Sequence, residues 1–169
     1  MAAAPEPPNN SVVKVFYATN RKKSRDTIKA LSTNDITDPN EYYTGARERG
    51  EKLNYGHTLV NMPKIHKRGQ LERPSVVRLE FWKAPVENPN LHIMLKKIEE
   101  VKKSDFFSEL KEQSQKAKTA FVFVHGFNVS FADAARVTAQ LSFDSQFKGT
   151  PILFSWPSDG TLLNPTSYV

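Results

Sequence analysis

An α/β fold is predicted by three features of the chain. The run Ala120-Phe-Val-Phe-Val124 is apolar without alternation and stops at His125-Gly126. A helix-like pattern follows from Phe131, and Pro151-Ile-Leu-Phe-Ser-Trp156 forms the next apolar run. Strand, tight turn, helix and strand in that order make a βαβ unit with a right-handed crossover, the building block of sheets flanked by helices. A short run apolar on both faces reads as an interior strand of a mainly parallel sheet, covered by helices on both sides.

The other elements follow in chain order. Residues 1–10 are Pro- and Ala-rich and read as a flexible leader, and 11–169 as part of one domain. Val12 to Ala18 is β-branched and aromatic, a strand that Thr19-Asn-Arg-Lys-Lys23 ends. Residues 24–54 are polar with little periodicity and read as a long excursion with a short helix at 26–31. Gly56–Met62 and Val76–Trp82 are further strand candidates, with Pro63 and Pro74 bracketing the loop between them. After a break at Pro85–Pro89, Leu91, Met94, Leu95, Ile98 and Val101 recur at helical spacing and predict an amphipathic helix of about three turns. Ser104 is the expected N-cap of a second helix with Phe107, Leu110 and Ser114 on its inner face. Ser130-x-x-Asp133 opens the helix after the turn as a capping box, with Phe131, Ala134, Ala135, Thr138 and Leu141 as its inner stripe. Gly149 ends that unit, and Pro157 stops the last strand.

Composition narrows the function classes. The chain has 169 residues, enough for one domain with a substantial core. It has no Cys, which excludes disulfides, thiolate ligands and a Cys nucleophile. No apolar run is long enough for a transmembrane helix. The first ten residues lack the basic and apolar regions of a signal peptide, which points to the cytoplasm while leaving an exported parent open. The net charge of +6 permits an anionic partner. The basic residues are interspersed with acids, as on a solvated surface, and no aromatic–basic interleaving suggests nucleic-acid binding. His57, His66 and His92 are scattered, so neither a metal nor another cofactor is expected.

The candidate chemistry lies at the ends of the two apolar strands. In open parallel sheets, ligands bind beyond the carboxyl ends of the strands. His125, Gly126, Phe127 and Asn128 lie at one such end, and Ser155 to Gly160 at the next. A strand–turn–helix junction aims backbone N–H groups at one point and suits an anion or a developing oxyanion. Gly126 is expected to let the chain turn without a Cβ in the way. His125 reads as a general base or, more simply, as a loop-holding residue. Phe127 and Asn128 would act through backbone N–H groups, with a local cap as the alternative role of Asn128. Trp156 and Ser158 line the expected crevice, though packing for Trp156 and a turn role for Ser158 are the plainer readings. No Gly-x-Ser-x-Gly, Gly-x-x-x-x-Gly-Lys-Ser/Thr or Gly-x-Gly-x-x-Gly occurs.

These motifs carry a resemblance. Val15-Phe-Tyr-Ala-Thr-Asn-Arg21, Phe123-Val-His-Gly-Phe-Asn128, Phe131 with Ala134-Ala135, Phe143-Asp144 and Phe154-Ser-Trp-Pro-Ser158 together resemble the first part of an α/β-hydrolase domain. They look most like a largely uncharacterised bacterial family of that superfamily. The resemblance implies a serine hydrolase of esterase or lipase type, acting on a small-molecule ester or acyl substrate. It implies that the His125-Gly126 turn supplies an oxyanion-hole N–H from Phe127 or Asn128, and that His125 is not the catalytic His. It places the nucleophilic Ser after the next strand, beyond residue 169, with the acid and catalytic His further on. The chain is then expected to be an N-terminal portion, inactive alone, an incomplete α/β-hydrolase-like sheet truncated before the nucleophile elbow. Strand 120–124 would be an exposed edge, inviting self-association and poor solubility. The alternative is a non-catalytic module whose basic surface binds an anionic partner.

Overall fold

The computed structural model describes residues 11–33, 38–50, 52–73 and 87–158. The expected leader at 1–10 and the strand expected at Val76–Trp82 lie outside them. The elements in order are β1 (Ser11–Thr19), β2 (Arg21–Lys23), α1 (Arg25–Thr33), β3 (Tyr43–Arg47), β4 (Asn54–Met62), β5 (Met94–Val101), α2 (Lys103–Ala117), β6 (Ala120–Val124), α3 (Phe131–Asp144) and β7 (Thr150–Ser155). A five-stranded sheet has the order β5-β4-β1-β7-β6, and β2 and β3 form a separate two-stranded sheet. The large sheet is mixed rather than mainly parallel. β5, β4 and β1 pair antiparallel, whereas β1, β7 and β6 run parallel.

Alternation along β1 divides the molecule into layers. Val15 and Tyr17 point to one face and join a core with Val60, Leu153, Phe131, Ala134, Ala135 and Ala139. This is the α3 face. Phe16 points the other way and meets Phe106 of α2 edge-on at 5.8 Å. Helices therefore cover opposite faces, as in other α/β folds. Tyr43, Tyr17 and Phe131 form an aromatic knot in the α3 layer, with ring centroids 4.7–5.9 Å apart. Gly56 makes that knot feasible. A Cβ there would lie 2.6 Å from the Tyr17 hydroxyl and 2.1 Å from the Glu99 carbonyl oxygen.

Several expectations need correction. The helix predicted over 91–101 is instead strand β5, with Leu91 in the preceding turn and exposed. The register explains the misleading spacing. Leu59 pairs with Lys97 but Val60 with Leu95, so Lys96 is an extra residue in the strand. A β-bulge that inserts one residue puts positions i and i+3 on the same face. Leu95 and Ile98 thus both reach the core although they sit at helical spacing. In α2 the N-cap is Lys102, with no side-chain cap, and Ser104 lies within the first turn. The helix buries Phe106, while Phe107 is half exposed. α3 keeps its predicted Ser130 cap, whose Oγ accepts from Asp133 N–H at 3.0 Å. Its stripe includes Phe131, Ala134, Ala135 and Thr138, but Leu141 is exposed. The excursion after β1 contains α1 close to its expected place and a strand pair, β2–β3, that polar composition concealed.

β6 is not covered on both sides. Among the described residues it pairs only with β7, and Val122 and Val124 are more than half exposed. It forms an unshielded apolar edge. The opposite edge, β5, carries Lys96, Lys97, Glu99 and the bulge, devices that discourage strand addition.

Candidate functional site

β6 and β7 are hydrogen-bonded parallel neighbours, so the groups beyond their carboxyl ends meet, as the sequence suggested. The meeting point is organised from below by a residue that the sequence reading left outside the site. Arg21, just past β1, is 1% exposed. Its Nε donates to Ser155 Oγ at 2.8 Å, one terminal nitrogen donates to the carbonyls of Ser158 and Thr44, and the other to the Val129 carbonyl at 2.7 Å. One guanidinium thereby joins the ends of β1, β6 and β7 to β3. Arg21 ends the Thr-Asn-Arg segment that contributed to the resemblance, but only the fold places it beneath the turn.

His125 is buried and bonded through both ring nitrogens. Nδ1 lies 2.8 Å from the carbonyl oxygen of Gly126 and must carry the proton to donate there. Nε2 is then the acceptor, 3.1 Å from Ser155 Oγ and 3.3 Å from the Arg21 guanidinium. Burial pushes the His125 pKa down, and the positive charge of Arg21 pushes it further in that direction, against the Gly126 hydrogen bond. Neutral imidazole with Nδ1–H is the state this arrangement selects. The ring stacks on Trp156 at 5.2 Å, and Trp156 Nε1–H donates to the His125 carbonyl at 2.8 Å. His125 thus ties the turn to Ser155 and Trp156 of the neighbouring strand end and to Arg21.

Ser155 and His125 have the spacing of a nucleophile and its base. Ser155 is fully buried, however, and Arg21 occupies its oxygen as well. The pair is a strut inside the protein, away from any approaching carbonyl. Ser158 is also fully buried, and its Oγ accepts from the Val129 N–H at 3.3 Å, bracing the turn from its far side.

The exposed part of the turn is Gly126 and Phe127, with Asn128 half-buried behind them. Gly126 is not required on steric grounds, because an added Cβ would meet nothing within 4 Å. That corrects the sequence argument: the space above Gly126 is open. Asn128 takes a left-handed backbone, φ 60°, and its buried Oδ1 has no hydrogen-bond partner. Asn tolerates this conformation better than most residues. Phe127 is half exposed at the rim.

No group of three or more His, Cys, Asp or Glu among the described residues is arranged to hold a metal. His66 instead lies between two carboxylates, Glu72 on Nδ1 and Asp144 on Nε2, each at 2.7 Å. No described helix is long and apolar enough to cross a membrane.

Residues 98–168 match a family described as an alpha/beta hydrolase of unknown function (DUF900). The match covers β6, the turn, α3 and β7, and it supports assignment of the resemblance to the α/β-hydrolase superfamily. The mixed sheet with helices on both faces agrees with an incomplete α/β-hydrolase-like fold. No curated protein and no solved structure is significantly similar to the chain.

Proposed function

We propose that the chain supplies the oxyanion-binding part of a serine hydrolase acting on ester or related acyl bonds. The observation that carries this reading is the turn itself. It follows one parallel strand beside another, is tied down by a buried Arg–His–Ser network, and carries Phe127 at an open rim with Asn128 half-buried beside it. Backbone N–H groups fixed in this way stabilise a tetrahedral oxyanion with little reorganisation. The nucleophile is assigned outside residues 1–169, because no Gly-x-Ser-x-Gly occurs in them and the serines at the site, Ser155 and Ser158, are buried. The chain alone is then inactive, and β6 is the edge along which the remaining sheet, or a second copy, would pair.

The test uses a protein carrying residues 1–169 together with any downstream coding sequence. A fluorophosphonate is expected to label one serine outside 1–169. Phe127→Pro, which deletes one backbone donor, is expected to lower kcat by about 10²–10³-fold with KM little changed. Labelling of Ser155 or Ser158 would overturn the assignment, as would an unaltered kcat in a folded Phe127→Pro protein. A second reading, a non-catalytic module that docks an anionic partner, draws on the lysines gathered where β4 begins and β5 ends.

A further inference from the structure

We propose that the cleft at that end of β4 and β5 is a binding site for a phosphate-bearing small molecule. Resting on the hydrolase reading, we further infer that this ligand is the anionic portion of the ester substrate. The cleft has a volume of about 680 Å³ and is lined by Lys23, Lys52, Lys102 and Lys103, with Glu100 its one carboxylate. Glu100 is already engaged, 2.7 Å from Lys23 Nζ and 2.7 Å from the Tyr43 hydroxyl that donates to it. Lys52, Lys102 and Lys103 make no ion pair among the described residues. Three lysines thus line one concavity with no counter-charge of their own among the described residues. Their mutual repulsion falls when a polyanion enters, and a concave wall focuses the field on it. A diphosphate group, with a charge of about −2 to −3 near neutral pH, matches that excess.

The position of the cleft links it to the turn. Thr19 pairs with both Asn54 and Ser155, and Tyr55 pairs with Val101. Asn54, Tyr55 and Val101, which line the cleft, therefore stand on the same rim of the sheet as Ser155 and His125. Three strand spacings separate β4 from β6, about 14 Å at roughly 4.8 Å each. A ligand with its phosphates over β4 and β5 and its acyl carbon at the turn needs a linker of that order. Simple esters lacking a distant anionic group would forgo this anchorage.

Binding is measurable without turnover, so its failure is separable from failure of the hydrolase reading. The full 169-residue chain is titrated with inorganic pyrophosphate at low salt and followed by amide chemical shifts. Saturable shifts are expected at residues 52–55 and 100–104. The triple variant K52A/K102A/K103A is expected to bind at least tenfold more weakly. A control triple, K67A/K111A/K148A, removes the same charge elsewhere and should change Kd less than twofold. The proposal is overturned by an adventitious ion only, seen as absent saturation or as equal weakening in both triples. A short single-stranded oligonucleotide that binds more than tenfold tighter than pyrophosphate would overturn the small-molecule assignment.

Discussion

Asn128 and Arg21 show how much of the site depends on single residues. Asn128 holds φ 60°, and its side-chain oxygen has no partner to lose. Asn128→Gly is therefore expected to keep stability within about 0.5 kcal/mol, whereas Asn128→Ala loses about 1 kcal/mol, because alanine resists the left-handed region. Thermal melts of the two variants check this, and equal melting temperatures would remove the conformational argument. Arg21 is the opposite case, a buried cation whose hydrogen bonds are its function. Arg21→Met strands the carbonyls of Ser158, Val129 and Thr44 and is expected to cost at least about 3 kcal/mol in urea denaturation. Arg21→Lys keeps the charge but not the planar fork, and should recover only part of that loss. Full recovery would show that charge alone suffices. His125-Gly126 was legible in the sequence because a strand stops and a helix starts around it. Arg21 was not, because the site residues it holds, His125, Val129, Ser155 and Ser158, lie 104 to 137 residues away along the chain.

Among the elements, the loop between β4 and β5 and the end of α3 are held together by His66. Burial alone would lower its pKa, but the hydrogen bonds to Glu72 and Asp144 outweigh burial and raise it. Asp144 moves the other way: burial raises its pKa, and the Gly69 N–H and His66 bring it below its ordinary value. The signs set a window. The His66 contribution is fully present below the unfolded value, about 6.5, and is lost as pH rises through the raised folded value. The Asp144 contribution is present above about 4 and is lost as pH falls through its lowered value. The clasp should thus be strongest between roughly pH 4.5 and 6. His66→Ala is expected to cost about 2 kcal/mol at pH 5.5 and less at pH 8.5. A pH-independent loss would rule out the ionic clasp. β5 teaches a separate lesson about elements. Leu95 and Ile98 imitate a helix because the bulge at Lys96 adds one residue to the strand period, and only pairing with β4 reveals it. β1, β4, α3 and β7 were legible because their apolar runs have no competing period. β3 was hidden because its sequence, Tyr-Thr-Gly-Ala-Arg, offers one core residue, Tyr43.

At the scale of the whole molecule, the two sheet edges are treated unequally. Among the described residues, β5 ends the sheet with lysines and a bulge, while β6 ends it with exposed valines. The isolated chain is expected to self-associate through β6 in a concentration-dependent way. Val122→Lys should shift sedimentation towards monomer while moving Tm by no more than about 3 °C, since the side chain is already 60% exposed. Unchanged association would place the contact elsewhere. The stacking of Trp156 on His125 has a practical consequence, because the protein contains an optical reporter at its own site. The only other tryptophan is Trp82, so Trp82→Phe leaves a single emitter stacked on the imidazole. Ligand arrival, loosening of the turn or protonation of that ring would each register as a change in emission, with no label attached.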